Sequence, residues 1–519
     1  METTEQLRAI KDESTNLVII AGPGSGKTET LIRRIMDRQK YREEASEDVV
    51  VITYTQSAAR EIRERLAAHY VGVGFAGTLH AYCYGLLREK FPQLAGVELQ
   101  KASRESYRFV GKDILPLSQK VVAKFRREML QDGLVDYDML LTVTLELLET
   151  GGLIPKPVHL YVDELQDAND VDVAIYRALP KRSSVMVGDP DQSIFGFRGG
   201  NMEHIVCASR EADVVWLTES HRCTKEICAA ASRLMEGVEG RVPKTIYGRR
   251  SGTVPEWIWE EHESAINKRM VERVQQALNN GIAEKEVAVL FRTNALAETF
   301  SAAAAGYGVK VAACAERIDV EGTEWADVRR AVNLALAPWS SYNRKSCRVP
   351  GKELESFGGQ LYDARARGLA GYLEWYGVSA SVIRLVVARY AAFYCTVPGE
   401  AIEWDPQRWA DYVVQLHTHY QVVRPESEGI YVGTIHAAKG KEWDTVLIGA
   451  CENGLLPYKR GNLNEERRLM YVAMTRACNS LVLCGSRSRK IYDRPVAGYL
   501  DNLEMSDFVK AVFGIGGGS

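Results

Sequence analysis

The sequence predicts an α/β protein: two doubly wound parallel-sheet domains with two small helical insertions. Three observations predict it. Short β-branched runs recur along the chain, helical patterns separate them, and the runs form two groups split near residue 218. Apolar strands alternating with amphipathic helices are the pattern of parallel sheets covered on both faces. At 519 residues the chain is too long for one core, and a prior of roughly 150 residues per domain gives three or four units.

The first strand group is read at "NLVIIAG", "DVVVITYT", "VHLYVDE", "SSVMVGD" and "DVVWLTE", with helices at "KTETLIRRIMDR" and "QSAAREIRERLAAHY". It defines a first domain over 1–217. The second group, "EVAVLFRT", "GIYVGTI", "DTVLIGA" and "NSLVLCG", defines a second over 218–513. Stretches at about 86–134 and about 339–426 break the rhythm; both are helix-like and rich in Arg, Tyr and Leu, and read as insertions. Residues 514–519, "GIGGGS", have the composition of a flexible tail.

Composition narrows the function classes. With 46% hydrophobic and 26% charged residues the chain is a soluble globular type. The net charge of -3 gives no overall basic signature, so a nucleic acid would need a local groove lined by some of the 65 Lys and Arg. The start, "METTEQLRAI", is not a signal pattern, and no apolar run approaches the roughly 18 residues of a membrane span, so a cytoplasmic protein is expected. The closest cysteine pairs, Cys223 with Cys228 and Cys478 with Cys484, lack C-x2-C spacing, and reduced thiols are expected. His417 and His419 have neither cysteines nor a second pair nearby. The metal expected is Mg2+ carried with a nucleotide.

Residues 17–35, "LVIIAGPGSGKTETLIRRI", run from a strand through a Gly-rich loop into a helix. Backbone N–H groups of Gly24, Ser25, Gly26 and Lys27 can wrap phosphate oxygens at a helix N-terminus. Lys27 would reach the β and γ phosphates, and the Thr28 hydroxyl would hold Mg2+. Ala21 stands where the strict pattern has its first glycine. "LYVDELQDAND" then supplies a carboxylate pair after a buried strand: Asp163 for Mg2+ through water, Glu164 to orient and deprotonate the attacking water. A solvated acidic turn is the plainer alternative. Asp189 and Gln192, at the next strand end, read as sensors of the γ phosphate. Arg222 in "ESHRCTKEI" and Arg476 in "EERRLMYVAMTRA" offer the positive charge that phosphoryl transfer needs. Each, taken alone, also fits a surface salt bridge.

"GDPDQSIFGFRGG" joins that sensor turn to Phe195, Phe197 and Arg198. Rings at i and i+2 share one side of a strand, so taken alone they read as core.

In chain order come "TEQLRAI", "AGPGSGKT", "TYTQSAA", "GTLHAYC", "VDYDMLL", "VDELQDAN", "GDPDQSIFGFRGG", "SHR", "LFRTNA", "GTIHAAKGKEWD" and "RRLMYVAMTRA". The chain thereby resembles the UvrD, Rep and PcrA branch of superfamily 1 DNA helicases over nearly its whole length. The resemblance implies two RecA-like motor domains that move 3′ to 5′ along single-stranded DNA, consuming ATP with Mg2+. It places Gln6 on the adenine side, Glu29, Arg33 and His221 beside the nucleotide, and Glu442 at the ribose. It places Tyr54, Gln56, Thr78, His80, Phe195, Phe197, Arg198, Thr434 and His436 on the DNA strand, the phenylalanines stacking on bases.

Several positions depart from the family pattern. His221 replaces the tyrosine that stacks on adenine, Gln56-Ser57 replaces Asn-Lys, and phenylalanines replace the more common Tyr and Trp. The insertions correspond to the accessory subdomains and are short for them. A 3′-tailed duplex is the expected substrate, with self-association or a protein partner needed for processive unwinding. About forty residues follow Arg476, too few for a nuclease domain, so a nuclease would be a separate subunit of a larger complex. A non-translocating ATP-binding adaptor and an RNA motor are the rival readings.

Overall fold

The computed structural model describes residues 2–42, 44–91, 94, 98–100, 134–196, 199–238, 241–312, 373, 374, 376, 429–459, 461–493, 496–500 and 502–515. The insertion at about 339–426 thus lies outside the described residues apart from three positions, as do His417 and His419, and most of the one at about 86–134 does too.

The first part of the chain runs α1 (Thr4–Lys11), β1 (Asn16–Ala21), α2 (Lys27–Tyr41), β2 (Val49–Thr53), α3 (Gln56–Ala68), β3 (Phe75–Thr78) and α4 (Leu79–Lys90). Residues 86–90, expected to open an insertion, are instead the last turns of α4, because Leu87 is buried in the same core as Tyr82 and Cys83. The short β4 (Glu98–Gln100) and β5 (Leu134–Asp136) pair with each other in parallel. Then come α5 (Tyr137–Glu149), β6 (Val158–Val162), α6 (Asp170–Ala178), β7 (Lys181–Gly188), α7 (Glu203–Glu211) and β8 (Asp213–Leu217). Six strands form one parallel sheet in the order β3-β2-β6-β7-β1-β8. Alternation along β1 shows why its run is continuously apolar. Val18 and Ile20 join the core under α4 and α5, while Leu17, Ile19 and Ala21 join the core under α2 and α3.

The second part runs β9 (Glu219–Ser220), α8 (Lys225–Leu234), β10 (Tyr247–Gly248), β11 (Glu256–His262), α9 (Glu263–Asn279), β12 (Val287–Phe291), α10 (Asn294–Gly306) and β13 (Val311–Ala312). After the undescribed stretch come β14 (Ile430–Thr434), β15 (Trp443–Ile448), α11 (Leu463–Met474), β16 (Ala477–Asp493), β17 (Val496–Leu500) and α12 (Asp507–Phe513). The sheet order is β11-β16-β15-β12-β14-β13, all parallel, with β17 antiparallel on β16. Ala288 and Leu290 of β12 face α8 and α11, whereas Val287, Val289 and Phe291 face α9 and α10.

Every strand expected from the sequence is present. The short β4, β5, β9, β10, β13 and β17 are not expected from the sequence, nor are β3 and β11: "FAGT" is short and has only one large apolar residue, and β11 is a charged edge strand with half-buried Trp259 between exposed Glu256 and Glu261. The described residues of 219–248 belong to neither sheet; β9 pairs with β10 beside the Gly-rich loop. Among the described residues no helix is long and apolar enough to cross a membrane.

Candidate active site and strand-binding face

The Gly-rich loop is held from three sides. Gly24 and Gly26 have φ of +67° and +77°, the left-handed region open to glycine. Neither position has room for a side chain: a Cβ at Gly24 would lie 2.4 Å from Arg222 Cβ, and one at Gly26 would lie 2.6 Å from Gln6 Nε2. Gln6 completes a capping box with Thr3 on α1 and donates from Nε2 to the Ser25 carbonyl at 3.0 Å, so it braces the loop. The Ser25 hydroxyl donates to the Gly22 carbonyl at 2.9 Å, and His221 N–H donates to the Gly24 carbonyl at 2.9 Å. The His221 ring itself is exposed. Gly26 is the N-cap of α2, where N–H groups favour an anion.

The carboxylate pair meets this loop. The Thr28 hydroxyl donates to Asp163 Oδ2 at 3.1 Å, and Lys27 Nζ lies 3.4 Å from Glu164 Oε2. A hydroxyl and a carboxylate are hard oxygen donors suited to Mg2+. Glu164 is a non-glycine residue at φ +57°, a costly backbone state retained where a side chain must be aimed. Its N–H donates to Asp163 Oδ1 at 2.9 Å, and the Gln166 amide donates to its carboxylate. Burial and the neighbouring Glu164 charge push Asp163 up to about 6. Burial opposes ionisation of Glu164 too, but Lys27 and Lys439 hold its carboxyl well below the usual range.

Arg222 and Arg476 arrive opposite the loop. Arg476 is buried, and burial together with the like charge of Arg222 pushes it down to about 9. It donates to the carbonyls of Val472 at 3.1 Å and Lys441 at 3.0 Å, and to Gln192 Oε1 at 3.4 Å. Arg222 ion-pairs with Glu442, the expected ribose-side residue, and donates to the Thr475 carbonyl at 3.3 Å. Glu29 and Arg33 pair with each other along α2 at 2.6 Å. Asp189 is fully buried, ion-paired with Lys244, and accepts from Gln192 Nε2 at 2.6 Å, so it holds the Gln192 amide.

Strand ends from both sheets form an adjoining face. Tyr54 follows β2 and stacks on Phe195, with centroids 5.6 Å apart and planes 23° apart; His436 lies 6.4 Å from Phe195 on another side. Ile194 is the residue that enters the core completely, while Phe195 is half-buried against it. Phe197 and Arg198 lie outside the described residues. Gln56 is half-buried at the start of α3.

Thr78 and Thr434 occupy matching places in the two sheets. "FAGTLHA" ends β3 and "YVGTIHA" ends β14. In each the threonine oxygen accepts a backbone N–H three residues on, at 3.3 Å, which leaves the hydroxyl hydrogen to donate elsewhere. In each, too, the preceding glycine is covered by the aromatic two residues earlier, with a Cβ only 2.6 Å from the Phe75 ring or 2.7 Å from the Tyr431 hydroxyl. His80 follows Thr78 and meets Tyr137 edge-on at 5.5 Å; burial pushes its pKa down to about 4.

Four residues with long-range contacts here were not singled out from sequence. Lys439 donates to Asp167 at 2.5 Å and to the Gln192 carbonyl at 2.9 Å, and lies 4.9 Å from the Phe195 ring centre. Glu465 accepts from Gly196 N–H at 3.1 Å, Arg292 forks onto Glu466, and Lys244 reaches Asp189. Lys439 and Glu465 lie in motifs already quoted, but order along the chain does not say which motif residues touch.

The UvrD/REP helicase N-terminal domain family matches residues 2–113 and 112–213, and the UvrD-like helicase C-terminal domain family matches 413–488. The ATP-dependent DNA helicase PcrA of Staphylococcus aureus strain Mu50 is 24% identical over 95% of this chain and 84% of its own length. That of Staphylococcus epidermidis strain RP62A is 23% identical over the same shares. The chain belongs to the UvrD/PcrA-like family of ATP-dependent DNA helicases.

Proposed function

We propose that the protein is a 3′ to 5′ single-stranded DNA translocase and helicase, with motor domains over 1–217 and 218–513, working on 3′-tailed duplexes in the cytoplasm. ATP is hydrolysed where the Gly-rich loop meets Arg222 and Arg476. The observation that carries this reading is one short segment: Gln192 accepts from Arg476, and three residues on Phe195 stacks on Tyr54. Nucleotide chemistry and strand grip share one rigid turn.

Lys27 and the loop N–H groups bind the β and γ phosphates. Thr28 and Asp163 would hold Mg2+, which when bound neutralises developing charge on the phosphate oxygens. Glu164, kept ionised by Lys27 and Lys439, orients a water and takes its proton as the water oxygen bonds to the γ phosphorus and the bond to the leaving ADP oxygen breaks. Arg222 and Arg476 stabilise the charge that builds there, and Gln192 reports the γ phosphate to Phe195. Thr78 and Thr434 donate to strand phosphates from opposite sheets, so a change in their separation moves the strand.

The test is ATP turnover with and without single-stranded DNA or RNA, followed by translocation on a strand labelled at either end. Strong stimulation by DNA and arrival at the 5′ end are expected. Turnover indifferent to the strand, or arrival at the 3′ end, would overturn the reading.

A further inference from the structure

We infer that Lys244 is a positioning residue for ATP hydrolysis, holding the Gln192 turn in register with the Gly-rich loop. The inference rests on the proposed reading of Gln192 as γ-phosphate sensor. Lys244 has a side chain only 1% exposed, and Asp189 and Asp191 beside it are 0% and 2% exposed. A lysine is almost never buried this deeply without partners that use its charge.

Its ammonium has three hydrogens and meets three acceptors: the Asp189 carboxylate, Asp191 Oδ2 at 3.2 Å and the Ala21 carbonyl at 3.5 Å. Ala21 is the last residue of β1 before the loop. Asp189 caps the turn Pro190–Gln192, accepting from Asp191 N–H at 3.0 Å, and with its other oxygen accepts from Gln192 Nε2. Because that amide nitrogen is committed to Asp189, the Gln192 carbonyl oxygen points to Arg476. The direction of the amide is thus decided by Asp189, and Asp189 is held by Lys244.

Arg241 completes the arrangement. It forks onto Asp191 at 2.9–3.1 Å and donates to the Lys244 carbonyl at 3.1 Å, so two cations balance two carboxylates. Burial opposes ionisation of Asp191, yet Lys244 and Arg241 hold its carboxyl below its ordinary value. Ile246, two residues after Lys244, belongs to the buried core that also holds Leu290 and Ile448 of the second sheet. Lys244 is therefore a strut from the second-sheet core to the first-sheet sensor.

The experiment compares steady-state ATP turnover, at saturating single-stranded DNA, for Lys244→Met, the charge-balanced Lys244→Met/Asp191→Asn, Gln192→Ala, and Gln192→Ala/Lys244→Met. If Lys244→Met fails to fold, the charge-balanced variant decides. The expected result is a kcat lowered about 10- to 100-fold, as for a partner that orients a working group. KM for ATP should stay within about threefold, since ground-state binding is not altered. Adding Lys244→Met to Gln192→Ala should bring no further loss, because both changes break one path. A charge-balanced variant with normal kcat beside an impaired Gln192→Ala, or losses that multiply in the combined variant, would overturn the role of Lys244 alone. Normal turnover in Gln192→Ala would instead remove the sensor reading, and this inference with it.

Discussion

Phe195 stacks on Tyr54 with ring centres 5.6 Å apart, while its neighbour Ile194 is wholly buried in the second core. The core and the ring platform are thus divided between adjacent residues. Phe195→Ala should weaken single-strand binding by roughly 1–3 kcal/mol, the worth of one base stack, with only a small fall in melting temperature. Fluorescence anisotropy with an oligonucleotide, beside a thermal melt, decides it. A steep loss of stability with unchanged affinity would mean that Phe195 is core after all.

The carboxylate pair gives a second expectation. Glu164→Gln should bind ATP and lose turnover, and Arg476→Ala should slow turnover by about 10³-fold or more, as loss of an arginine finger does. Single-turnover hydrolysis with a parallel nucleotide-binding titration separates binding from chemistry. Near-normal hydrolysis by Glu164→Gln would remove it as the base.

The like charge of Arg222 disfavours the buried Arg476 cation, and a polyphosphate bound between them would relieve that repulsion. A non-hydrolysable ATP analogue with Mg2+ should stabilise the fold by about 2.7 kcal/mol at a hundredfold excess over its Kd. Calorimetry should show the gain in the parent chain and a much smaller one in Lys27→Ala. Equal gains in both would place the nucleotide elsewhere.

His80 has a folded-state pKa near 4 against an ordinary 6.5, so the unfolded chain takes the proton first. Its contribution is intact above pH 6.5 and is lost as pH falls toward 4, by up to about 3 kcal/mol at 1.36 kcal/mol per unit. Denaturant melts from pH 7 to 4 should be flatter for His80→Gln. A neutral ring also implies that His80 adds no charge to strand binding at neutral pH, so the same variant should leave the salt dependence unchanged.

Opening a base pair costs about 1.4 kcal/mol per step and needs a wedge or a grip on the duplex ahead of the motor. With insertions this short, an isolated monomer should translocate well and unwind a long 3′-tailed duplex poorly. Efficient single-turnover unwinding at concentrations where sizing shows a monomer would contradict that.

The nucleotide loop was legible because its causes are local. Gly24 and Gly26 are needed for left-handed backbone, Lys27 and Thr28 follow within one turn, and the apolar run before them can only be a buried strand. β3 and β11 were not legible, since one is nearly without large apolar side chains and the other is a charged edge.

What the sequence determined by itself is the alternation of strands and helices, the Gly-rich loop between β1 and α2, and which groups are candidates for the chemistry. What only the tertiary structure decided is which of those groups meet. Only the packing of residues 241–248 brings Lys244 onto Asp189, and only the placement of α11 presents Glu465 to the Gly196 N–H. Such pairs join residues far apart in the chain, and their distances follow from how two independent cores settle against each other. No periodicity or spacing within one segment carries that information, because it is a property of the contact between segments.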